Sequence, residues 1–149
     1  MFKIKVIFLD IDGVMNSYAS IVENYQRGIN RPDERFSKSS INALEKIIKE
    51  TNAKIVISST WGLSNKTIRA FKYSNFDLDT IIGETSALKN TGHRGKEINA
   101  YIDNTDEIES FVIIDDDNDM GSLMDNLYQV DNQIGLLEKD ADKIIKMLN

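Results

Sequence analysis

The sequence has no cysteine and only one proline among its 149 residues. The absence of cysteine excludes disulfide bonds and thiolate chemistry, and it fits an intracellular setting. Long hydrophobic runs are also missing, because no stretch approaches the roughly 18 apolar residues that a membrane span needs. The apolar run that follows the basic N-terminus is too short for a signal peptide. We therefore expect a cytoplasmic protein that makes no membrane contact.

Basic residues are the scarcer charged class, with 18 Lys and Arg against 24 Asp and Glu and a net charge of −6. This balance argues against a broad nucleic-acid-coating surface, although it leaves room for a local basic rim beside a metal. The chain is 41% hydrophobic and long enough to bury a real core. We expect one domain spanning residues 1–149, with no obligate protein partner.

Apolar runs alternate with helical patterns along the chain, and several of the runs are apolar on both faces. Such runs are typical of a parallel sheet that helices cover on both sides. The predicted fold is therefore α/β, with a doubly wound, mostly parallel, Rossmann-like sheet of about five strands. The predicted strands are residues 4–9, 53–57, 81–83, 110–114 and 127–130, and the predicted helices are 37–52, 65–73, 96–102 and 138–149.

Residues 14–36 lack this apolar rhythm, apart from a helical turn or two predicted around residues 20–25. A stretch of about 20 irregular residues inside a compact domain is usually functional or disordered. We interpret the segment as a flap over the end of the first strand, with a solvated loop as the alternative. Its residues Arg27, Arg31 and Arg35 either grip a phosphodiester beside the reacting group or are solvated charges.

Three of the predicted strands end in polar clusters. Parallel strands place their carboxyl ends on one edge of the sheet, where such sheets bind ligands, so the clusters are expected to converge. Two carboxylates at one strand tip repel each other, and a divalent cation with oxygen ligands removes that conflict. For the first cluster alone, an Asx turn in which Gly13 takes a positive φ is the alternative. The clusters are Asp10 with Asp12, Ser58 to Thr60, and Asp115 with Asp116.

This constellation suits phosphoryl transfer from a phosphate monoester. Asp10 is then a nucleophile that attacks phosphorus, and Asp12 protonates the leaving oxygen before it deprotonates the hydrolytic water. Asp10, Asp12 and one aspartate of the 115–116 pair can surround one Mg²⁺. A hydroxyl from the end of the second strand and a lysine or arginine would hold and neutralise the phosphoryl oxygens.

Three runs resemble motifs of the haloacid dehalogenase (HAD) superfamily of phosphatases, and they follow one another in the order of that superfamily. FLDIDGV at residues 8–14 resembles motif I, IVISS at 55–59 resembles motif II and VIIDD at 112–116 resembles motif IV. The chain also resembles a small subgroup of capless HAD domains associated with RNA repair proteins. That resemblance rests on the runs ISSTW at 57–61, RGKEI at 94–98 and IDDDNDM at 114–120, and on the pairs VD at 130–131 and GL at 135–136.

The resemblance implies a role for each aspartate of the first and last motifs. Asp10 takes the position of the nucleophile and of a metal ligand. Asp12 takes that of the acid/base, and it reaches the metal through its backbone carbonyl. Asp116 corresponds to the metal-binding aspartate of motif IV. Asp115 is a supporting residue that orients the motif III cation, and Asp119 supports the site from further out. The implied cofactor is Mg²⁺.

The hydroxyl and the cation of the site are less sharply defined by the resemblance. The motif II hydroxyl is Ser58 in the preferred register and Ser59 in the other. For motif III we narrowly favour Lys96 as the catalytic cation and keep Arg94 as a substrate-binding residue. Trp61 is expected to pack at a helix start, with stacking on a base as the alternative. The full set of expected substrate-binding residues is Gly13, Arg31, Ser59 and Arg94.

The spacing of the motifs leaves little room for a separate cap domain. A capless site is open, which by family analogy suits a phosphate on a macromolecule, and the subgroup favours a polynucleotide end of the kind that 3′-phosphatases act on. A nucleotidase or a phosphoprotein phosphatase of the same fold is the alternative enzyme. A catalytically idle phosphate-binding module is the alternative outside catalysis. A phosphoacceptor receiver domain fits poorly, because the strand before Ser58 carries no acceptor aspartate.

Overall fold

The structure, a computed structural model, describes residues 3–85, 93–105 and 107–149. Most of the predicted polar loop at residues 84–92 lies outside the described residues. The strands are β1 (Ile4–Leu9), β2 (Lys54–Ile57), β3 (Ile81–Glu84), β4 (Ile108–Asp115) and β5 (Leu127–Gln129). The helices are α1 (Tyr18–Gln26), α2 (Lys38–Thr51), α3 (Asn65–Tyr73), α4 (Arg94–Asp103) and α5 (Ala141–Leu148), with short 3₁₀ turns at Pro32–Glu34, Leu78–Thr80, Gly121–Asn126 and Glu138–Asp140.

The five strands form one sheet in the order β3-β2-β1-β4-β5, and every neighbouring pair is parallel. This confirms the predicted parallel α/β fold without a large cap domain. The central strand is β1, and its last residue Leu9 pairs with Ile57 of β2 and Ile114 of β4. The three strands therefore end level with one another, and the residues that follow them meet at one edge of the sheet.

Alternate residues of β1 enter two different hydrophobic clusters. Ile7 and Leu9 are buried in the larger cluster, which also takes Leu44 of α2 and Ile144 of α5. Phe8 lies in the smaller cluster on the opposite face, together with side chains of α4. Each such side chain contributes roughly 1.5–3 kcal/mol when it is fully buried. The central strand is thus held from both faces, which gives the residues at its tip a rigid support.

Residues 14–36 are more ordered than their sequence pattern indicates. They contain the nine-residue helix α1, whose cap Ser17 accepts a hydrogen bond from the Ser20 backbone N–H. Val14 and Met15 before the helix are fully buried, and Phe36 after it is 8% exposed. The predicted helical turn or two is therefore too short. The segment is anchored at both ends because isolated apolar residues, which form no period of their own, enter the main core.

Two helix boundaries also differ from the predicted ones. The helix α4 begins at Arg94 rather than at Lys96, and its cap residue is His93. The C-terminal helix α5 begins at Ala141, after a 3₁₀ turn over Glu138–Asp140. In the described part of the chain no helix has both the length and the apolar composition needed to cross a bilayer.

Candidate active site

Three aspartate side chains meet where β1 and β4 end. Carboxylate oxygens of Asp10, Asp115 and Asp116 all lie within 4.8 Å of one another. The Asp10 backbone N–H donates a 3.0 Å hydrogen bond to the carbonyl of Ile114, so the two strands stay paired up to the site. The side chains of Asp10 and Asp115 are 8% and 2% exposed. The site is therefore a buried acidic cluster at the predicted edge of the sheet.

Burial and mutual repulsion disfavour the ionised forms of these carboxyl groups, and a bound cation would offset both effects. Burial raises the pKa of Asp10 to about 9, with a further rise from Asp115 and an opposing effect of Arg94. Burial also raises the pKa of Asp115 to about 6, although the Asp117 backbone N–H and Arg94 both lower it. Carboxylate oxygens in this number and proximity fit the ligand set that Mg²⁺ takes in proteins. Asp10, Asp115 and Asp116 are accordingly the residues that could hold a metal ion.

An arginine lies against the acidic cluster. The Arg94 guanidinium is 3.4 Å from Asp10 Oδ1 and 3.9 Å from Asp115 Oδ2, and it also donates to the carbonyl of Ser58. The Arg94 backbone N–H donates to the Asp119 carboxylate at 3.3 Å, which ties the start of α4 to the loop after β4. A side chain at Gly95 would be 2.4 Å from the carbonyl oxygen of Met120. Glycine therefore permits the close approach that brings Arg94 to the carboxylates.

The structure places Lys96 away from these carboxylates. Its side chain is exposed and lines a different cavity, with Asn99 and Ser122. Because α4 starts two residues earlier than predicted, Lys96 lies about 200° around the helix from Arg94. The geometry thus favours Arg94 as the motif III cation, against the narrow preference for Lys96 that the sequence supports.

The two serines after β2 differ sharply in their surroundings. Ser58 is fully buried, and its Oγ has no hydrogen-bond partner among the described residues. The Ser59 Oγ instead accepts a 3.2 Å hydrogen bond from the backbone N–H of Trp61. A buried hydroxyl without a partner costs free energy, and it can be satisfied by a ligand oxygen. Ser58 therefore has the spare hydrogen-bonding capacity that a phosphate-binding hydroxyl needs.

Both carboxylate oxygens of Asp12 accept hydrogen bonds. Asn16 Nδ2 donates to Oδ1 at 3.1 Å, and Trp61 Nε1 donates to Oδ2 at 3.0 Å. Asn16 Nδ2 also donates to the carbonyl of Asp33 at 2.8 Å. The Asp33 carboxylate lies 3.3 Å from Lys66 Nζ, which in turn lies 3.9 Å from the centre of the Trp61 ring. These contacts form a closed circuit that links residues 12–16, Asp33 and residues 61–66, and the circuit sets the orientation of the Asp12 carboxylate.

Two members of this circuit were not expected from the sequence. Asn16 lies in a segment without an apolar period, and nothing in its neighbourhood marks it as a partner of Asp12. Trp61 was expected to pack or to stack on a base. It does pack near Phe36, with ring centroids 6.0 Å apart, but its N–H reaches the site. Only the spacing of four residues between Asp12 and Asn16 offered a signal, and it is a weak one.

Of the expected substrate-binding set, Gly13 lies near the carboxylates and Arg31 lies apart from them. Gly13 has a φ of +83°, and an added Cβ would be 2.4 Å from Asp116 Oδ2. Its N–H donates to Asn16 Oδ1 at 3.1 Å. Arg31 is exposed at the start of the 32–34 turn, and among the described residues no hydrogen bond or ion pair joins it to the carboxylates. Its proposed contact with substrate remains a prediction.

Comparisons with known proteins agree with this architecture. A family model described as "HAD domain in Swiss Army Knife RNA repair proteins" matches residues 6–141. Among solved structures, the HAD domain of effector protein Lem4 from Legionella pneumophila superposes with a TM-score of 0.63 at 15% sequence identity, over 99% of this chain and 97% of that chain. No curated protein sequence gives a match. The structural similarity concerns the fold alone, whereas the family match covers all three strand-end clusters.

Proposed function

The chain belongs to the family of HAD domains found in Swiss Army Knife RNA repair proteins, and we propose that it is a Mg²⁺-dependent phosphomonoesterase acting on phosphorylated nucleic-acid ends. One observation carries the proposal. Asp10, Asp115 and Asp116 converge beside Arg94 at the carboxyl end of the central strands, and Asp12 follows two residues after Asp10. Fold alone would not imply activity, but this arrangement supplies a nucleophile, a proton carrier and a positive charge at one place.

The reaction divides into two steps with separate tasks for Asp10 and Asp12. An Asp10 oxygen attacks phosphorus to form an aspartyl-phosphate, while Asp12 donates its proton to the leaving oxygen. Asp12 then removes a proton from the water that hydrolyses the aspartyl-phosphate, and Asp10 is regenerated with release of phosphate. Since the two N–H donors of Asn16 and Trp61 hold the Asp12 carboxylate, the proton carrier needs little reorganisation between the steps.

Arg94 and Ser58 are the groups that face the phosphoryl oxygens in this proposal. The Arg94 guanidinium neutralises part of the charge that Asp10 and the phosphoryl group share. The Ser58 hydroxyl, for which the described residues provide no partner, donates to a non-bridging oxygen. Mg²⁺ would be held by Asp10 and Asp116, two of the three clustered carboxylates, together with the Asp12 carbonyl that the HAD resemblance implies, while Asp115 orients Arg94. The ion would supply the remaining positive charge and favour the ionised form of Asp10.

The substrate class is argued from two observations. The family description names RNA repair proteins, and the described chain carries no inserted cap domain over the site. A site without a cap domain accommodates a phosphate on a large molecule, and we propose a 3′-phosphorylated polynucleotide end. A nucleotidase and a phosphoprotein phosphatase are the competing enzymes of the same fold, and a catalytically idle phosphate-binding module is the competitor outside catalysis.

The decisive experiment replaces the nucleophile and measures hydrolysis of a generic aryl phosphate with Mg²⁺. We expect Asp10→Asn to lower kcat by on the order of 10³-fold or more, because no other group takes its place. The exposed Asp103 at the end of α4 provides the control, and Asp103→Asn should retain full activity. Full activity in Asp10→Asn would overturn the proposal, and inactivity of the wild type would favour the idle module.

A second assay addresses the substrate. Wild-type protein is given a 3′-phosphorylated oligonucleotide, a 5′-phosphorylated oligonucleotide, mononucleotides and phosphopeptides at equal concentration. We expect the highest kcat/KM with the 3′-phosphorylated oligonucleotide. A preference for mononucleotides or for phosphopeptides would contradict the proposed substrate class while leaving the phosphatase chemistry in place.

A further inference from the structure

A second cavity adjoins the acidic cluster, on the side of Asp12. Its volume is about 360 Å³, within the range of small-molecule pockets. Asp12 and Asp116 line this cavity, and Asp116 also lines the cavity of about 320 Å³ that contains Asp10 and Arg94. The two cavities therefore meet at Asp116. A side chain at Gly13 would intrude between Asp116 and Asn132, so glycine keeps this junction open.

The position of Asp12 identifies which part of a substrate the second cavity would receive. In the proposed reaction Asp12 passes its proton to the leaving oxygen, so the leaving group must lie on the Asp12 side of phosphorus. Asp12 lines the second cavity, whereas Asp10, Arg94 and Asp115 line the first. The second cavity is thus the place for the alcohol that is released.

Besides Asp12 and Asp116, the side chains that line this cavity include an aromatic ring and two amides, which are groups that contact bases in nucleic-acid-binding proteins. Tyr18 is 63% exposed, and Asn132 and Gln133 add two side-chain amides. The described lining contains no lysine or arginine. An exposed aromatic ring offers a stacking platform for a base, and amides can hydrogen-bond to base edges. These side chains suit the flat, uncharged base of the leaving nucleotide, and they offer no positive charge to an acidic peptide.

Hydrogen bonds fix the backbone that carries Tyr18, Asn132 and Gln133. The backbone N–H of Tyr18 donates to the Asn132 carbonyl at 2.9 Å, and that of Ala19 donates to the Gln133 carbonyl at 3.1 Å. Gln133 Nε2 donates to Asn132 Oδ1 at 3.1 Å, so the two amides are ordered relative to each other. The 131–135 turn thus accepts hydrogen bonds from the first backbone N–H groups of α1, which have no partner inside the helix. A platform that is positioned before binding loses little entropy when a ligand arrives.

We propose that this cavity is a nucleoside subsite, in which the base of the terminal 3′-phosphorylated nucleotide stacks on Tyr18 and hydrogen-bonds to Asn132 or Gln133. The proposal rests on the proposed phosphatase function and goes further, because it assigns recognition of the leaving nucleoside to three named side chains. It also gives α1 a role, because the first residue of this helix is Tyr18, whose ring stacks on the base of the substrate.

The test compares two 3′-phosphorylated oligonucleotides that differ only in whether the terminal nucleotide has a base or is abasic. The readout is the ratio of kcat/KM between them. We expect Tyr18→Ala to lower this ratio by about 5- to 150-fold, the range of base–aromatic stacking, and Tyr18→Phe to preserve it. Tyr25, 76% exposed near the other end of α1, is the matched control, and Tyr25→Ala should leave the ratio unchanged.

The outcomes separate failure of the subsite from failure of the phosphatase function. If hydrolysis occurs but the wild type treats the two oligonucleotides alike, or if Tyr18→Ala leaves the ratio intact, the subsite is refuted and the phosphatase stands. Equilibrium binding of the same oligonucleotides to Asp10→Asn provides a readout without turnover. A preference for the base-bearing oligonucleotide that Tyr18→Ala abolishes supports the subsite even if hydrolysis is absent. Equal binding, or tighter binding of a phosphopeptide, overturns it.

Discussion

Trp61 Nε1 donates a 3.0 Å hydrogen bond to Asp12 Oδ2, across 49 residues of sequence. The contact joins the loop after β2 to the residue that the proposed mechanism uses as its proton carrier. Lys66, which is paired with Asp33, lies over the face of the same ring. In the proposed mechanism Trp61 is thus a positioning residue for Asp12, and this role can be tested separately from its packing.

Trp61→Phe should keep an aromatic ring beside Phe36, while it removes the N–H that holds Asp12 and reduces the indole to a single ring. We expect kcat to fall by about 10-fold with an alkyl phosphate, because a misplaced Asp12 protonates a basic leaving oxygen poorly. The fall should be smaller with p-nitrophenyl phosphate, whose leaving group needs little protonation. Tyr73→Phe, at the exposed end of α3, is the control. Equal losses with both substrates would show that Trp61 acts through packing alone.

Arg94→Ala and Lys96→Ala address the identity of the motif III cation. Since Arg94 lies 3.4 Å from Asp10 and Lys96 is exposed, we expect Arg94→Ala to lower kcat by about 10²-fold. Lys96→Ala should stay within about twofold of wild type, since exposed substitutions away from a site rarely matter. Both variants are assayed with the same aryl phosphate and Mg²⁺. A larger loss in Lys96→Ala would restore the assignment that the sequence favoured.

Ser58→Ala should have opposite effects on activity and stability. The Ser58 hydroxyl is buried and has no hydrogen-bond partner within the described part of the chain, so its removal should raise the free energy of unfolding by up to about 1 kcal/mol. The same substitution should raise KM or lower kcat, because a phosphoryl oxygen loses its donor. Urea unfolding and hydrolysis assays measure the two effects, with Ser59→Ala for comparison. Loss of stability in Ser58→Ala together with full activity would assign the hydroxyl to structure.

Gly13 and Gly28 provide a matched pair for testing the junction of the two cavities. Both have a positive φ, +83° and +72°, so alanine is strained at either position. At Gly13 the new Cβ would meet Asp116 Oδ2 and Asn132 Cβ, whereas no described residue has an atom within 4 Å of a Cβ at Gly28. We expect Gly28→Ala to cost about 1 kcal/mol of stability with normal activity, and Gly13→Ala to lose activity as well. Similar activity in the two variants would show that the close approach is unimportant.

The buried Asp10 carboxyl should make the metal-free protein less stable as the pH rises. In the folded state its pKa is raised from 3.8 to about 9, so between these values the folded protein retains a proton that the unfolded chain has lost. Stability then falls with increasing pH across this window, with a slope of at most about 1.4 kcal/mol per pH unit for one proton. Thermal unfolding in EDTA from pH 5 to 8 measures the slope, and Asp10→Asn should reduce it. An identical slope in the variant would exclude Asp10 as its source.

The fold could be predicted because the sequence patterns that indicate its strands are local, and the observed sheet confirms it. Runs such as residues 4–9 and 110–114 are apolar on both faces, and a strand of that kind must be covered on both sides wherever it lies. The strand boundaries differ from the predicted ones by a few residues at most. Residues 14–36 were harder to predict, because Val14 and Met15 enter the core as single contacts that leave no period in the sequence.

The sequence by itself determined that Asp10, Asp115 and Asp116 would converge, because parallel strands end on one edge of their sheet. Only the tertiary structure decided that Arg94, and not Lys96, lies against them, since the phase of α4 depends on where the helix starts and on the close contact of Gly95 with Met120. It also decided the partners of Asp12. A strand's position follows from its own residues, whereas the direction of a side chain at its tip is set by contacts with segments far away in the chain.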